Sequence, residues 1–326
     1  MFLRGGVPEF QPTVAMLFGT LLGPEDLLKL HRNALVMVFL AAAVASALSA
    51  WLAGPERGPM IEPSPGSTRI ASLAPSITSV LVFIGAGEEL VAISDYCRVD
   101  YPTGPIPVVG TALTPDRERL IRVAPGAILA RKAGAVPIEI LSGIAPTALL
   151  PWSSVTDLAA SVRAIGEICS RQEAAEKLAQ GFEARLLREA SESAPRALLL
   201  LGGGATGSEL WVIKPNSLHG ALLPAAGLRN AIDGPLRGAP TISLEELVRL
   251  DPELIITLVP SDQVSGVDRE RLLHRFDALD SLEAVRSRSI GVIADGRCLD
   301  EGPELIDLAD RLTEVARTLL AGRDQR

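Results

Sequence analysis

The residue types that carry chemistry are sparse in this chain and lie far apart. Three histidines (His31, His219 and His274) and three cysteines (Cys97, Cys169 and Cys298) are its only imidazoles and thiols in 326 residues. They form no HExxH and no CxxC, so neither a zinc-protease helix nor a structural zinc site is expected. A G-x-S-x-G nucleophile turn is also absent. His219 opens a short helical segment and reads as a satisfied or solvated side chain rather than a ligand. Gly202 to Gly207 (GGGATG) matches G-x-G-x-x-G after an apolar run. A phosphate cradle needs a helix directly behind those glycines. Here Glu209-Leu-Trp-Val-Ile213 follows, which reads as a strand, so the segment reads as a glycine hairpin.

Hydrophobic residues are 48% and charged residues 21%, enough for a sizeable core, and the length suggests two domains. The net charge is −8 with no basic stripe, which excludes nucleic acid as the expected partner. Lys29, His31 and Arg32 precede the unbroken apolar run Ala34 to Ala53. At ~1.5 Å per residue its length matches the ~30 Å core of a bilayer. The positive flank is N-terminal, so the rest of the chain should be exported. Ala43, Ala45 and Ala47 offer A-x-A cleavage sites. The segment about 29–53 is thus a signal peptide or an uncleaved anchor, with a translation start near Leu28 or Leu30 making it an ordinary one. Residues 54–67, rich in Pro, Gly and Ser, read as a linker, so 1–67 is leader, signal or anchor, and linker.

The rest alternates short apolar runs with amphipathic segments. Residues 68–170 carry strands at Arg69–Ala74, Leu90–Ser94, Ala127–Ala130 and Leu149–Leu150. Helices are expected at Ile77–Ile84 (capped by Ser76), Pro115–Val123, Pro137–Ile144 and Thr156–Ile168. Residues 194–326 repeat the alternation, with strands at Ala197–Leu201, Leu254–Leu258 and Ile290–Ala294. Helices there are expected from Asn216 or Ser217 to Ala226, from Ser243 to Leu250, over Asp268–Phe276 and over Pro303–Leu320. Such β-then-α order predicts α/β lobes with parallel, three-layer sheets. Between the lobes, Arg171 to Glu192 keeps three-and-four apolar spacing, which predicts a helix about 33 Å long. The connecting segment is residues 171–193. Cys97 and Cys298 fall in corresponding loops of the two lobes and read as isolated thiols.

Two segments repeat in register. Asp116-Arg-Glu118-Arg-Leu-Ile-Arg-Val-Ala-Pro125 and Ser243-Leu-Glu245-Glu-Leu-Val-Arg-Leu-Asp-Pro252 share Glu, an apolar pair, Arg and Pro. An apolar strand follows each. The match predicts a pseudo-repeat, one unit per lobe.

Arg69-Ile-Ala-Ser-Leu-Ala-Pro75-Ser76, Ser94-Asp-Tyr-Cys97, the two Glu…Pro segments and Gly302-Pro303 together resemble the helical-backbone substrate-binding proteins of ABC importers. The cobalamin- and iron-siderophore-binding members are most alike. The resemblance spans about residues 68–322. It implies two α/β lobes joined by one long helix, with a ligand cleft between them and no catalysis. The implied cargo is a metal-bearing chelate: cobalamin or another corrinoid, a ferric siderophore, or haem. The implied ligand residues are Pro75, Ser76, Tyr96, Cys97, Thr111, Ala112 and Arg131 in the first lobe. In the second they are Trp211 and, within the loop Asp295–Glu301, Arg297. Ala112 and Arg131 stand where cobalamin binders tend to offer tryptophans, and Glu304 stands where the family often has Arg. The resemblance also implies that Glu118 and Glu245, one per lobe, dock onto arginines of the importer's permease subunits. It further implies a monomer working in the periplasm or otherwise outside the cytoplasm. The competing classes are a membrane-tethered sensor or partner-binding module on the same fold, and a cleft enzyme, for which no motif speaks.

Overall fold

A computed structural model describes residues 69–99, 106–132, 138–202, 209–236, 240–260, 276 and 278–324. The expected leader, apolar run and linker lie outside these residues. So do the glycine hairpin beyond Gly202 and, apart from Phe276, the helix expected over Asp268–Phe276. Among the described residues no helix is long and apolar enough to cross a membrane.

The described chain builds two parallel four-stranded sheets. The first contains β1 (Ile70–Ser72), β2 (Leu90–Ile93), β3 (Ala127–Arg131) and β4 (Thr147–Leu150), in the order β2-β1-β3-β4. The second lobe contributes β5 (Arg196–Leu201), β6 (Glu209–Trp211), β7 (Arg229–Asn230), β8 (Thr241–Ser243), β9 (Leu254–Val259) and β10 (Ile290–Ala294). Its sheet runs β10-β9-β5-β7, while β6 and β8 form a separate antiparallel pair. Both sheets follow one plan. The first strand of each lobe has the second on one side and the third on the other, with the fourth beyond.

Strand periodicity explains the layers, because alternate side chains face opposite sides of a sheet. Ile70 and Leu129 pack into a central core, while Ala71, Leu73, Ile128 and Ala130 face an outer one with Leu120 and Leu141. In the second sheet Leu199, Leu254 and Ile256 turn inward, and Leu198, Leu200 and Ile255 turn to an outer cluster with Leu247 and Leu282. The helices that cover these faces are α1 (Pro75–Phe83), α2 (Arg117–Val123), α3 (Ile138–Ser142), α4 (Val155–Ile168), α5 (Gln172–Leu186), α6 (Leu222–Ala225), α7 (Leu244–Leu250), α8 (Glu283–Arg286) and α9 (Glu304–Asp324). The central core runs without a break from the first sheet through Leu158 and Ile165 of α4, Leu178 and Phe182 of α5, and Leu222 of α6. It continues to the second sheet and to Leu305 and Leu312 of α9.

The pseudo-repeat holds in atomic detail. Asp116 caps α2 by accepting from Arg119 N at 3.0 Å, and Ser243 caps α7 by accepting from Glu246 N at 3.1 Å. Each helix has seven residues and closes on a left-handed residue, Ala124 (φ 46°) or Asp251 (φ 39°), before its proline. Leu120 and Leu247 are the fully buried side chains of the two units.

The connecting helix is shorter than its periodicity predicts. Helix α5 ends at Leu186, and Leu187 leaves the helical region. At ~1.5 Å per residue it is about 22 Å long. Beyond it, Ala194 N donates to Ser191 O at 2.9 Å and the Ser191 and Ser193 hydroxyls lie 2.9 Å apart. Serine hydroxyls offer the backbone local partners that compete with helix. Helix α4 packs alongside α5, and Arg163 fastens them by hydrogen bonds to Glu176 (2.7 Å) and Glu183 (2.6 Å). Two other expectations change. Pro75 takes the first position of α1, so Ala74 rather than Ser76 is its cap residue. The segment after Ser217 is a 3-10 turn, His219–Ala221, running into the single turn α6.

Candidate functional site

In an open parallel sheet, ligands bind beyond the carboxyl ends of the strands where the strand order reverses. In the first lobe that point lies between β1 and β3. Pro75 and Ser76 follow β1, and Arg131 ends β3. Parallel pairing sets Arg131 beside Leu150 on β4, so Trp152 emerges next to it. The loop after β10, Asp295 to Pro303, reaches this point from the other lobe.

Three contacts hold it there, and a fourth orients the arginine that makes one of them. Arg131 Nη1 donates to Glu301 Oε2 at 2.6 Å, and the pair is about one-third exposed. Trp152 Nε1 donates to the Glu301 carbonyl at 2.8 Å. The Arg131 guanidinium lies 5.9 Å from the centroid of the Trp152 ring, within cation–π range. Gly302 lies so close to α1 that an added Cβ would stand 3.2 Å from Ser79 Cβ and 3.6 Å from Ser76 O. A side chain there would make the loop or Ser79 give by a few tenths of an ångström and would push the Glu304 carboxylate aside. Ser76 is buried, and its hydroxyl has no hydrogen-bond partner.

Around β2 the backbone is strained. Cys97 N donates to Ser94 O at 3.3 Å, which closes a turn with Tyr96 at its third position. Tyr96 has φ 70°, a place usually given to glycine. Its ring is 85% exposed beyond the sheet end. The turn is anchored from below, because Thr78 Oγ1 lies 3.2 Å from Cys97 Sγ and Ser94 Oγ lies 3.4 Å from it. Strain of this kind costs of order 1–3 kcal/mol and survives where neighbours over-determine it. Thr111 is committed to its own turn, accepting from Leu113 N (3.2 Å) and Thr114 N (2.9 Å). Ala112 beside it is half-buried.

On the second lobe the loop is knitted to itself. Arg297 pairs with Glu304 and lies 3.7 Å from Asp300, so its charge is turned onto its own lobe. Burial pushes the Asp300 carboxyl up, while Arg297 and, from the first lobe, Arg98 draw it down. Buried His219 lies beneath the loop with Nε2 3.1 Å from the Cys298 carbonyl, to which it donates. Burial pulls its pKa below the ordinary imidazole value, against the opposing charge of Glu301. Cys298 is pushed up to about 11 by burial, so its thiol stays protonated. Trp211 is set apart on β6, opposite Thr241 and 40% exposed.

The structure thus gathers Pro75, Ser76 and Arg131 at one point, with Tyr96 and Cys97 on the turn after β2. Sequence reasoning missed Trp152 and the specific partner Glu301, while His219 is the satisfied side chain it expected. Trp152 follows Leu150 and Pro151 at a strand end, a signal that the switch-point rule could have used. Among the described residues no group of three His, Cys, Asp or Glu side chains could hold a metal ion.

A protein-family model described as periplasmic binding protein matches residues 70–295. A vitamin B12-binding protein of Pectobacterium carotovorum subsp. carotovorum (strain PC1) is 27% identical over 206 residues, covering 61% of this chain and 74% of that one. Among solved structures, the periplasmic vitamin B12 binding protein of Vibrio cholerae superposes with TM-score 0.58 at 20% identity, covering 78% of this chain and 98% of that one. The periplasmic heme binding protein of Vibrio cholerae does so with TM-score 0.60 at 19% identity, covering 76% and 98%. At these identities the two structures carry the fold.

Proposed function

The chain belongs to the periplasmic binding protein family, and from that premise we propose that it captures a metal-bearing chelate outside the cytoplasm and hands it to an ABC importer. The chelate is a corrinoid such as cobalamin, haem or a ferric siderophore. The observation that carries this reading is the meeting of the two lobes at the switch point of the first sheet. There Arg131, Trp152, the first turn of α1 and the loop ending in Glu301 converge. A flat, partly charged ligand needs apolar wall, an aromatic surface and a few fixed polar groups. Tyr96 supplies an exposed aromatic surface and Arg131 a polar group in the first lobe, with Trp152 buried behind Arg131.

Carriage without chemistry is supported by the state of the thiols. Burial pushes Cys169 up to about 12 and Cys298 up to about 11, so neither is a nucleophile near neutrality. In this reading Glu118 and Glu245 are the docking carboxylates. Each lies exposed in the first turn of its seven-residue helix, and the two helices are copies of one unit. Carboxylates so duplicated set orientation and on-rate more than affinity. The segment about 29–53 exports the chain and is either cleaved or kept as an anchor, and the carrier works as a monomer.

The test is a titration of the purified chain, followed by tryptophan fluorescence, with cyanocobalamin, cobinamide, haem and ferric siderophores. A dissociation constant in the micromolar range or tighter for one of them is expected. No response across the panel would overturn the chelate reading while leaving the family intact.

A further inference from the structure

The first lobe presents positive character at the cleft. Pairing sets Ser72 beside Leu129, so the chain that leaves β1 through Ala74 starts α1 next to the end of β3, where Arg131 stands. Helix α1 begins there and runs nine residues, and its cap residue Ala74 lends no side-chain oxygen. The free N–H groups of a first helical turn attract negative charge. The buried Ser76 hydroxyl in that turn has no partner. Against this end the second lobe sets two carboxylates on one loop. Glu301 holds Arg131 at 2.6 Å. Glu304 uses one oxygen on Arg297, and its Oε2 is buried without a partner. Gly302, between them, seats the loop on Ser76 and Ser79.

We propose that Arg131 recognises an anionic oxygen group of the cargo, a carboxylate or a phosphate, and that Glu301 is its internal stand-in, displaced when the cargo binds. This deepens the chelate reading and rests on it. The guanidinium is already held in place: Trp152 lies under it, Nη2 donates to the Trp152 carbonyl at 3.5 Å, and Nη1 is the donor that Glu301 occupies. Arg is the side chain suited to that task, because its donors match a planar carboxylate or a phosphate edge. Glu301 sets the selectivity. A neutral chelate cannot compete for the guanidinium, whereas an anionic one replaces the ion pair with its own. The occupied state lowers apparent affinity by the fraction of chains in which Arg131 is free. Removing the stand-in charge therefore tightens binding of anionic cargo and leaves neutral cargo unchanged.

Two ligand pairs differ in that group, the second also in the rest of the nucleotide that carries it. Haem carries two propionates and its dimethyl ester carries none. Cyanocobalamin carries a phosphodiester and cobinamide lacks it. Wild type, Glu301→Gln and Arg131→Met would be titrated with all four by tryptophan fluorescence. Glu301→Gln is expected to bind the charged member of the recognised pair about tenfold more tightly, a change of about 1.4 kcal/mol, with the uncharged member unmoved. Arg131→Met should lose the preference for the charged member. The pair that responds identifies carboxylate or phosphate. Equal affinities in all three proteins for a charged member that does bind, or binding of the uncharged members alone, would overturn the proposal. If none of the four binds, the chelate reading fails, and inorganic phosphate becomes the probe, followed by the Trp152 indole N–H resonance. A phosphate-dependent shift that strengthens in Glu301→Gln and vanishes in Arg131→Met then upholds anion recognition. A shift indifferent to Arg131, or no shift in any variant, overturns it.

Discussion

Replacing Gly166 by alanine should weaken the join between the lobes. Gly166 lies on α4 where it crosses α5, and an added Cβ would stand 2.3 Å from Ala175 Cβ and 3.2 Å from Arg171 O. Carbon atoms prefer separations of about 3.5–4.0 Å, so the two helices would have to part by about 1 Å. Alanine gains about 1 kcal/mol of helix propensity over glycine. Overpacking of a closed interface costs about 1–3 kcal/mol. The strain wins at a contact this short, for a net loss of about 1–2 kcal/mol. Ala175→Gly alone should lose about 2 kcal/mol, from propensity and one buried methyl. In the double variant the methyl moves from one helix to the other and both propensity changes cancel. It should return near wild type, with a coupling of about 3–4 kcal/mol. Urea unfolding of the four proteins measures the cycle. At a slope of about 2–3 kcal/mol/M, Gly166→Ala should lower the midpoint by about 0.5 M. A midpoint at or above wild type for Gly166→Ala, or strict additivity in the double variant, would refute close packing at this crossing.

Stability should also depend on His219. Its folded pKa is depressed by burial, so its contribution is complete above the unfolded value of about 6.5 and is lost as pH falls below it. His219→Gln should flatten the decline of the urea midpoint between about pH 7 and pH 5, and an unchanged slope would count against a buried neutral imidazole. Thiol labelling of the native chain near pH 8 should modify Cys97 first. Cys169, pushed up to about 12, keeps only about one thiolate in 10⁴ at that pH and is buried besides; native-state labelling of Cys169 as fast as Cys97 would contradict this. Finally, Glu118→Ala with Glu245→Ala should abolish stimulation of the importer's ATPase in reconstituted vesicles while leaving cargo titrations unmoved. Because exposed ion pairs are worth only ~0–1 kcal/mol each, the single changes should slow association more than they weaken it. Undiminished stimulation by the double variant would remove the docking role.

Features encoded within a dozen residues could be read from the sequence. The pseudo-repeat was legible because Asp116 and Ser243 are cap residues and Pro125 and Pro252 stand at fixed distances beyond them. The layers were legible because strands such as Ala127–Arg131 are short, apolar and bounded by Pro, Gly or charge. The end of α5 was not, since Leu187 to Glu192 continues the helical pattern and a serine turn overrides it. Ser76 misled for a similar reason: it is a good cap residue, but Pro75 suits the first helical position better. The cleft contacts were hidden by distance. Arg131 and Glu301 are 170 residues apart, and Trp152 and Glu301 are 149 apart. No local pattern announces such pairs, and only the sheet order brings them together.

The core itself says which part of the molecule can respond to cargo. A clamshell opening would have to cut the central hydrophobic cluster, in which Phe182, Leu158, Leu222 and Leu312 are fully buried. Exposing even four such side chains costs roughly 1.5–3 kcal/mol each, more than displacement of one partly exposed ion pair can supply. The contacts around Glu301 are of another kind. They consist of one ion pair, one indole hydrogen bond and a glycine laid on α1. Movement on binding should therefore be confined to the Asp295–Pro303 loop while α4 and α5 hold the lobes in place. Hydrogen exchange on the chain with and without bound chelate separates the two cases. Protection should change in the loop and around Trp152 and remain flat along Val155–Leu186. A change along those two helices would mean that the lobes hinge after all.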